Sequence, residues 1–184
     1  MLQDFNNCIV SQRNEVRRRR DDLSSNPPTD AAALAKMVGE ARFLRTTLVR
    51  VRPGRTGEFE DLLKDIKRAR EQASPKVTTL VSQSSTGQPG AVYYITSLRS
   101  SLGELDPGSV TPLPQLLGEE GMQKFNKVGS EAVITTDTYI QHFLPELSNP
   151  PEDIAAASPE FWHPKPAMTM KAKPKATEAG GKTQ

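Results

Sequence analysis

Four residues, Val49-Arg50-Val51-Arg52, followed at once by Pro53-Gly54, constrain this chain more than any others. Strict alternation of apolar and charged residues is the period of a half-buried strand, because successive side chains point to opposite faces. Proline cannot donate to a strand ladder and glycine accepts the turn, so the pair ends the strand. Read back to Phe43, the run FLRTTLVRVR is rich in β-branched residues. Beyond the turn, Phe59, Leu62, Leu63, Ile66, Ala69 and Ala73 recur at spacings of three and four, one apolar face of a helix over 55–73. Glu58, Glu60 and Asp61 precede Lys64, Lys67, Arg68 and Arg70, the order the helix dipole favours. Ser74-Pro75 closes the helix.

Two more β-rich runs, 77–84 (VTTLVSQS) and 91–98 (AVYYITSL), flank a short connector containing Gly87, Pro89 and Gly90, which predicts an antiparallel hairpin. Residues 99–112 read as a loop punctuated by Gly103, Pro107, Gly108 and Pro112. From Leu113 to Val133 the apolar positions Leu116, Leu117, Met122, Phe125 and Val128 predict a helix, with a break near Gly118-Glu119. A last strand over 134–144 (ITTDTYIQHFL) stops at Pro145 and Asn149-Pro150-Pro151. The order β-α-β-β-α-β is that of an α+β, ferredoxin-like sheet with two helices on one face. Leu44, Thr46 and Leu48 on one side of the first strand, against Thr47, Val49 and Val51 on the other, predict that both faces are partly covered. A second sheet is the economical cover for the face without helices.

The chain also repeats itself weakly. Phe5-Asn6-Asn7 is echoed by Phe125-Asn126-Lys127, and the stretch 22–30 (DLSSNPPTD) by 146–153 (ELSNPPED). Residues 1–30 therefore read as the last helix and strand of a preceding copy. The expected division is a helical N-terminal segment and linker (1–42) left from that copy, a ferredoxin-like domain (43–146), a Pro-rich extension (147–163) and a tail (164–184). The tail holds five lysines and one glutamate without apolar periodicity, a composition that predicts disorder.

The strand-Pro-Gly-helix segment 43–69, the hairpin and the ending HFLPELSNPP together resemble the dimeric α+β barrel superfamily, with its antibiotic-biosynthesis-monooxygenase-like and NIPSNAP-like domains. Closest in organisation are uncharacterised acidobacterial-type proteins with two such domains and a Lys/Pro/Ala-rich tail. The resemblance covers residues 43–162 well and 1–40 in part. It implies two sheets packed face to face, so that a partner chain, in a homodimer, supplies the second sheet here. Its motifs are structural and specify fold rather than activity.

Candidate functional residues are few. Tyr93, Tyr94, Tyr139 and His142 lie on strands and are the candidates for a pocket taking a small organic ligand, against ordinary packing as the alternative. Some members of the superfamily ligate haem through a histidine. His142 has no second histidine or cysteine at ligand spacing, so neither metal nor cofactor is expected. Arg17-Arg18-Arg19-Arg20 invites a phosphate-binding reading, yet Asp21 and Asp22 follow at once and no aromatic is interleaved, so no specific nucleic-acid partner is expected. Cys8 is the single cysteine, which excludes an intrachain disulfide framework. No run reaches the roughly 20 apolar residues that span a bilayer, and no signal-like stretch opens the chain. The compartment stays undefined, because the repeat predicts either the C-terminal part of a tandem two-domain protein, with Met1 an internal start, or a version that has lost most of its first copy. Two functions follow: a non-catalytic structural or small-ligand-binding module that self-associates through its sheet face, or a cofactor-independent oxygenase-like enzyme. A largely apolar cavity between sheet and helices with converging polar groups would favour the enzyme, and a filled interior the non-catalytic module.

Overall fold

The computed structural model describes residues 8–73, 77–106 and 108–164. The expected lysine-rich tail, except Pro164, lies outside them, as do Ser74-Pro75 and Pro107. In chain order the elements are β1 (Val16–Arg19), α1 (Ala31–Glu40), β2 (Phe43–Val51), α2 (Thr56–Ala73), β3 (Leu80–Thr86), β4 (Ala91–Arg99), a 3-10 turn (Leu102–Leu105), α3 (Leu113–Ala132), β5 (Val133–His142), a second 3-10 turn (Pro145–Leu147), and the short helices α4 (Glu152–Ala155) and α5 (Pro159–Trp162). The fold is α+β. Its sheet has five strands in the order β1-β3-β4-β2-β5, every neighbouring pair antiparallel.

Strand β2 is the centre of the sheet. Residues Phe43–Val51 pair along their whole length with β4 on one edge and with β5 on the other. Its alternation decides what goes where. Val49 and Val51 point at the helices and are buried with Tyr93 of β4, Val81 of β3, Phe59, Leu62 and Leu63 of α2, and Val128 and Ala132 of α3. Each such aliphatic or aromatic side chain contributes about 1.5–3 kcal/mol through removal from water. An ion pair between Lys124 and Asp65, 2.5 Å long, ties α3 to α2 on the exposed side. The opposite face carries Leu44 and Leu48, both half-buried.

Two differences from the sequence reading have physical causes. The segment before β3 pairs elsewhere: Thr79 exchanges backbone hydrogen bonds of 3.0 and 2.9 Å with Ser25, so regular pairing with β4 begins only at Leu80. The N-terminal segment, expected as a helical remnant ending in a strand, supplies a strand at Val16–Arg19 followed by a helix at Ala31–Glu40. In β1 the consecutive arginines alternate between faces, and an extended backbone separates charges that a helix would crowd at i, i+3.

The sequence echo has a structural counterpart. Ser25-Asn26-Pro27-Pro28 follows β1 and leads to α1; Ser148-Asn149-Pro150-Pro151 follows β5 and leads to α4. The helices so launched pack together at Gly39, where a Cβ would lie 2.2 Å from the carbonyl oxygen of Ile154. Trp162 closes the contact by donating its indole N–H to the Gly39 carbonyl at 2.8 Å.

The expected break in α3 falls at Gly118, whose φ of 65° and ψ of −172° interrupt the helix. This backbone region is essentially confined to glycine, and a side chain there costs about 1–3 kcal/mol. Gly118→Ala is therefore expected to lower unfolding free energy by about 1–3 kcal/mol in urea titration. Gly129→Ala, on an exposed helical turn with nothing within 4 Å of the new Cβ, should raise it by up to about 1 kcal/mol.

Candidate functional site

Adjacent residues on a strand point to opposite faces, and this separates the two central candidates. Tyr93 lies on the helix side, fully buried, and its ring packs against Phe59 at 5.0 Å between centroids. Its hydroxyl donates to Glu60 Oε1 at 2.6 Å and accepts from Gln83 Nε2 at 3.1 Å. Arg20 completes a ring of contacts, donating to both Glu60 oxygens at 2.7 and 2.9 Å and to Gln83 Oε1 at 2.8 Å. Hydrogen bonding from Arg20 holds the Glu60 carboxyl below its ordinary range. Burial, and then Glu60, push the Tyr93 phenol well up.

Tyr94 faces the other way into a second network. Its hydroxyl donates to Glu15 Oε2 at 2.8 Å, Gln88 reaches the same oxygen at 3.3 Å, and the Arg17 guanidinium lies 3.4 Å above the ring centroid. Burial alone would raise the Glu15 pKa, but hydrogen bonds from Tyr94, Arg17 and Gln88 outweigh it and hold the group low. Tyr139 is on β5 opposite Thr46 and 53% exposed. His142 ends β5 and stacks on Phe43 at 4.8 Å. Tyr93 and His142 lie on the helix side of the sheet and Tyr94 and Tyr139 on the other, and none of the four lines the cavity described next.

Three of the four arginines in the run are paired with carboxylates, and Arg18 is exposed. Arg17 pairs with Glu15, Arg19 with Asp21, and Arg20 with Asp22 as well as Glu60. Among the described residues no group of three His, Cys, Asp or Glu is placed to hold a metal ion. None of the described helices is long and apolar enough to cross a membrane.

A concave site lies elsewhere, at the end of the sheet where Arg45 and Arg99 stand. Parts of β2 and β4, Arg70 of α2, residues 104–106, 108 and 110–112, and Leu116 of α3 come together there. Between them is a cavity of about 390 Å³. Its floor is Ile95, Ser97 and Arg99 of β4 with Arg45 of β2; its walls include Arg70 of α2, Val77, Thr79, Val110 and Leu116. The register explains the floor: Arg45 pairs with Ser97 and Phe43 with Arg99, so both arginines point to the helix side at the same end of the sheet. Arg70 donates to Thr79 Oγ1 at 2.9 Å. Burial, then the neighbouring charges of Arg99 and Arg45, hold its pKa below the ordinary arginine value. It stays charged at neutral pH all the same.

Known protein families, characterised proteins and solved structures contain no match to this chain.

Linkage through Glu60 gives a test of the first network. Its folded-state pKa lies below the ordinary 4.5, so on acidification the unfolded chain binds the proton first. The stability it contributes is present above about pH 4.5 and lost as pH falls through the folded value. Glu60→Gln should flatten that part of the stability–pH profile in urea titrations between pH 3 and 6. Tyr93→Phe should cost about 1 kcal/mol at pH 7.

Proposed function

We propose that the protein is a non-catalytic, small-ligand-binding module built on a ferredoxin-like α+β domain of the dimeric-barrel type. The cavity of about 390 Å³ lined by β4, Arg45, Arg70 and residues 104–106, 108 and 110–112 carries the reading. Its size is within the range of pockets that hold small organic molecules, and it joins apolar walls to a few polar groups, as such pockets do. The strand order β3-β4-β2-β5, with α2 and α3 on one face, supports the ferredoxin-like assignment. The paired strand–SNPP–helix units at opposite edges of the sheet support reading residues 1–42 as the remnant of a preceding repeat.

The position of the cavity, between sheet and helices, also favours the oxygenase-like reading over a purely structural one. The two differ in a measurable way. In a ligand-observed NMR fragment screen of the full chain, the module reading expects neutral or charged fragments to bind in the cavity without oxygen uptake at an electrode. Val110→Trp, which narrows the cavity from a loop, should abolish that binding while leaving thermal unfolding unchanged. Oxygen uptake on addition of a bound fragment would shift the assignment to the enzyme.

Self-association is the second part of the proposal. Leu44 and Leu48 are half-buried on the face away from α2 and α3, and Tyr139 beside them is 53% exposed. A second copy of the sheet would remove this surface from water. Sedimentation equilibrium should give a dimer, and Leu48→Lys, by burying a charge in the contact, should raise its dissociation constant by at least an order of magnitude. A wild-type monomer at all concentrations would overturn this part.

A further inference from the structure

Three guanidinium groups from three separate elements meet at the cavity; of the other described arginines, only the exposed Arg13, Arg18 and Arg52 have neither an ion pair nor a side-chain hydrogen bond. Arg17, Arg19, Arg20, Arg55 and Arg68 each lie within ion-pair distance of a carboxylate. Arg42 spends its donors on two carbonyls and Ser158, and Arg50 on the Pro89 carbonyl. Arg45, Arg70 and Arg99 have no ion pair among the described residues. Arg70 has a single acceptor, Thr79. The Nε–H groups of Arg70 and Arg99 are both buried without an acceptor. Buried donors are almost always satisfied, and leaving a charged one unmet costs more than leaving a neutral one. Here the cost is compounded, since the neighbouring positive charges themselves depress Arg70.

Two carboxylates, Glu104 and Asp106, also line the cavity. Neither comes within ion-pair distance of an arginine, and Glu104 is engaged instead by the backbone N–H and hydroxyl of Ser100. The lining therefore keeps one net positive charge and a concave set of unmet donors beside apolar Val77, Ile95, Val110 and Leu116.

We propose that this cavity binds a small organic anion, whose carboxylate or phosphate accepts hydrogen bonds from Arg45, Arg70 and Arg99 while its carbon body packs against Ile95, Val77 and Leu116. This deepens the ligand-binding reading above and rests on it. Guanidinium forks match both oxyanions bidentately, so the shared chemistry is the oxyanion, and the two ligand classes are separated by the probe.

The test is titration of the ¹⁵N-labelled full chain with sodium benzoate, phenyl phosphate and neutral benzamide at low and moderate salt. The anions should shift the amides of Arg70, Ser97, Arg99 and Leu116, bind at least tenfold more tightly than benzamide, and weaken as salt rises. The tighter of benzoate and phenyl phosphate names the oxyanion. Arg99→Gln and Arg45→Gln should each weaken anion binding on the order of tenfold while leaving benzamide unaffected. Arg45 is exposed, so its variant keeps the test valid should Arg99→Gln fail to fold. Equal binding of benzamide and the anions would overturn the anion assignment and leave the ligand-binding module standing. Shifts confined to residues outside the cavity would overturn it too. No binding by any of the three, together with no hit in the fragment screen, would overturn both.

Discussion

Strand β2 is hydrogen-bonded on both edges over all nine of its residues, and the placement of every other element follows from that double pairing. The period of a strand is two, so a slip of one residue against either neighbour would turn Val49 and Val51 to the open face and Leu48 and Arg50 to the helices. The buried face of α2, from Phe59 to Leu63, accepts only the first arrangement. Register and helix docking are thus one constraint seen from two sides. The same register brings Arg45 and Arg99 to one end of the sheet, so the cavity follows from the pairing as directly as the core does.

The polar networks on the two faces of β4 show how a short edge strand is held. β1 has only four residues, all exposed, and little apolar surface to anchor it. Arg20, just past its end, reaches both α2 and β3 through Glu60 and Gln83. Ser24 fixes the turn that follows, accepting from the Val81 N–H and donating to the Arg20 carbonyl, each at 2.8 Å. A charge cluster that reads in isolation as a surface for phosphates works here as a fastening between layers. The contacts of Arg20 and Ser24 carry weight because they are partly removed from water and hydrogen-bonded.

Much of this was legible from residue order. The alternation ending at Arg52, the stop at Pro53-Gly54, the three-and-four spacing from Phe59 and the break at Gly118 each act locally, and local signals survive without knowledge of the fold. The opposite orientation of Tyr93 and Tyr94 follows from the same period-two rule, which grouping both tyrosines in one pocket overlooked. The role of the arginine run was not, because its partners Glu60 and Gln83 lie 40 and 63 residues away. Arg45, Arg70 and Arg99 were missed for a related reason. They stand on two strands and a helix and converge only once register and helix docking are set. The one available signal was the absence of a nearby acidic residue in sequence around Arg45 and Arg99, in contrast to Arg19, Arg20, Arg55 and Arg68.

The contact that joins α1 to the final short helices has an optical consequence. Trp162 is the only tryptophan in the chain. It is buried against Gly39 and edge-on to Phe143 and Phe161, remote from the apolar core under α2 and α3. Intrinsic fluorescence excited at the indole therefore watches the clasp between the two SNPP-launched helices rather than the sheet. If that clasp opens before the sheet does, emission will change while the circular dichroism of the β-structure holds. The disagreement between the two signals would then measure how far the ends of this chain fold as a unit of their own.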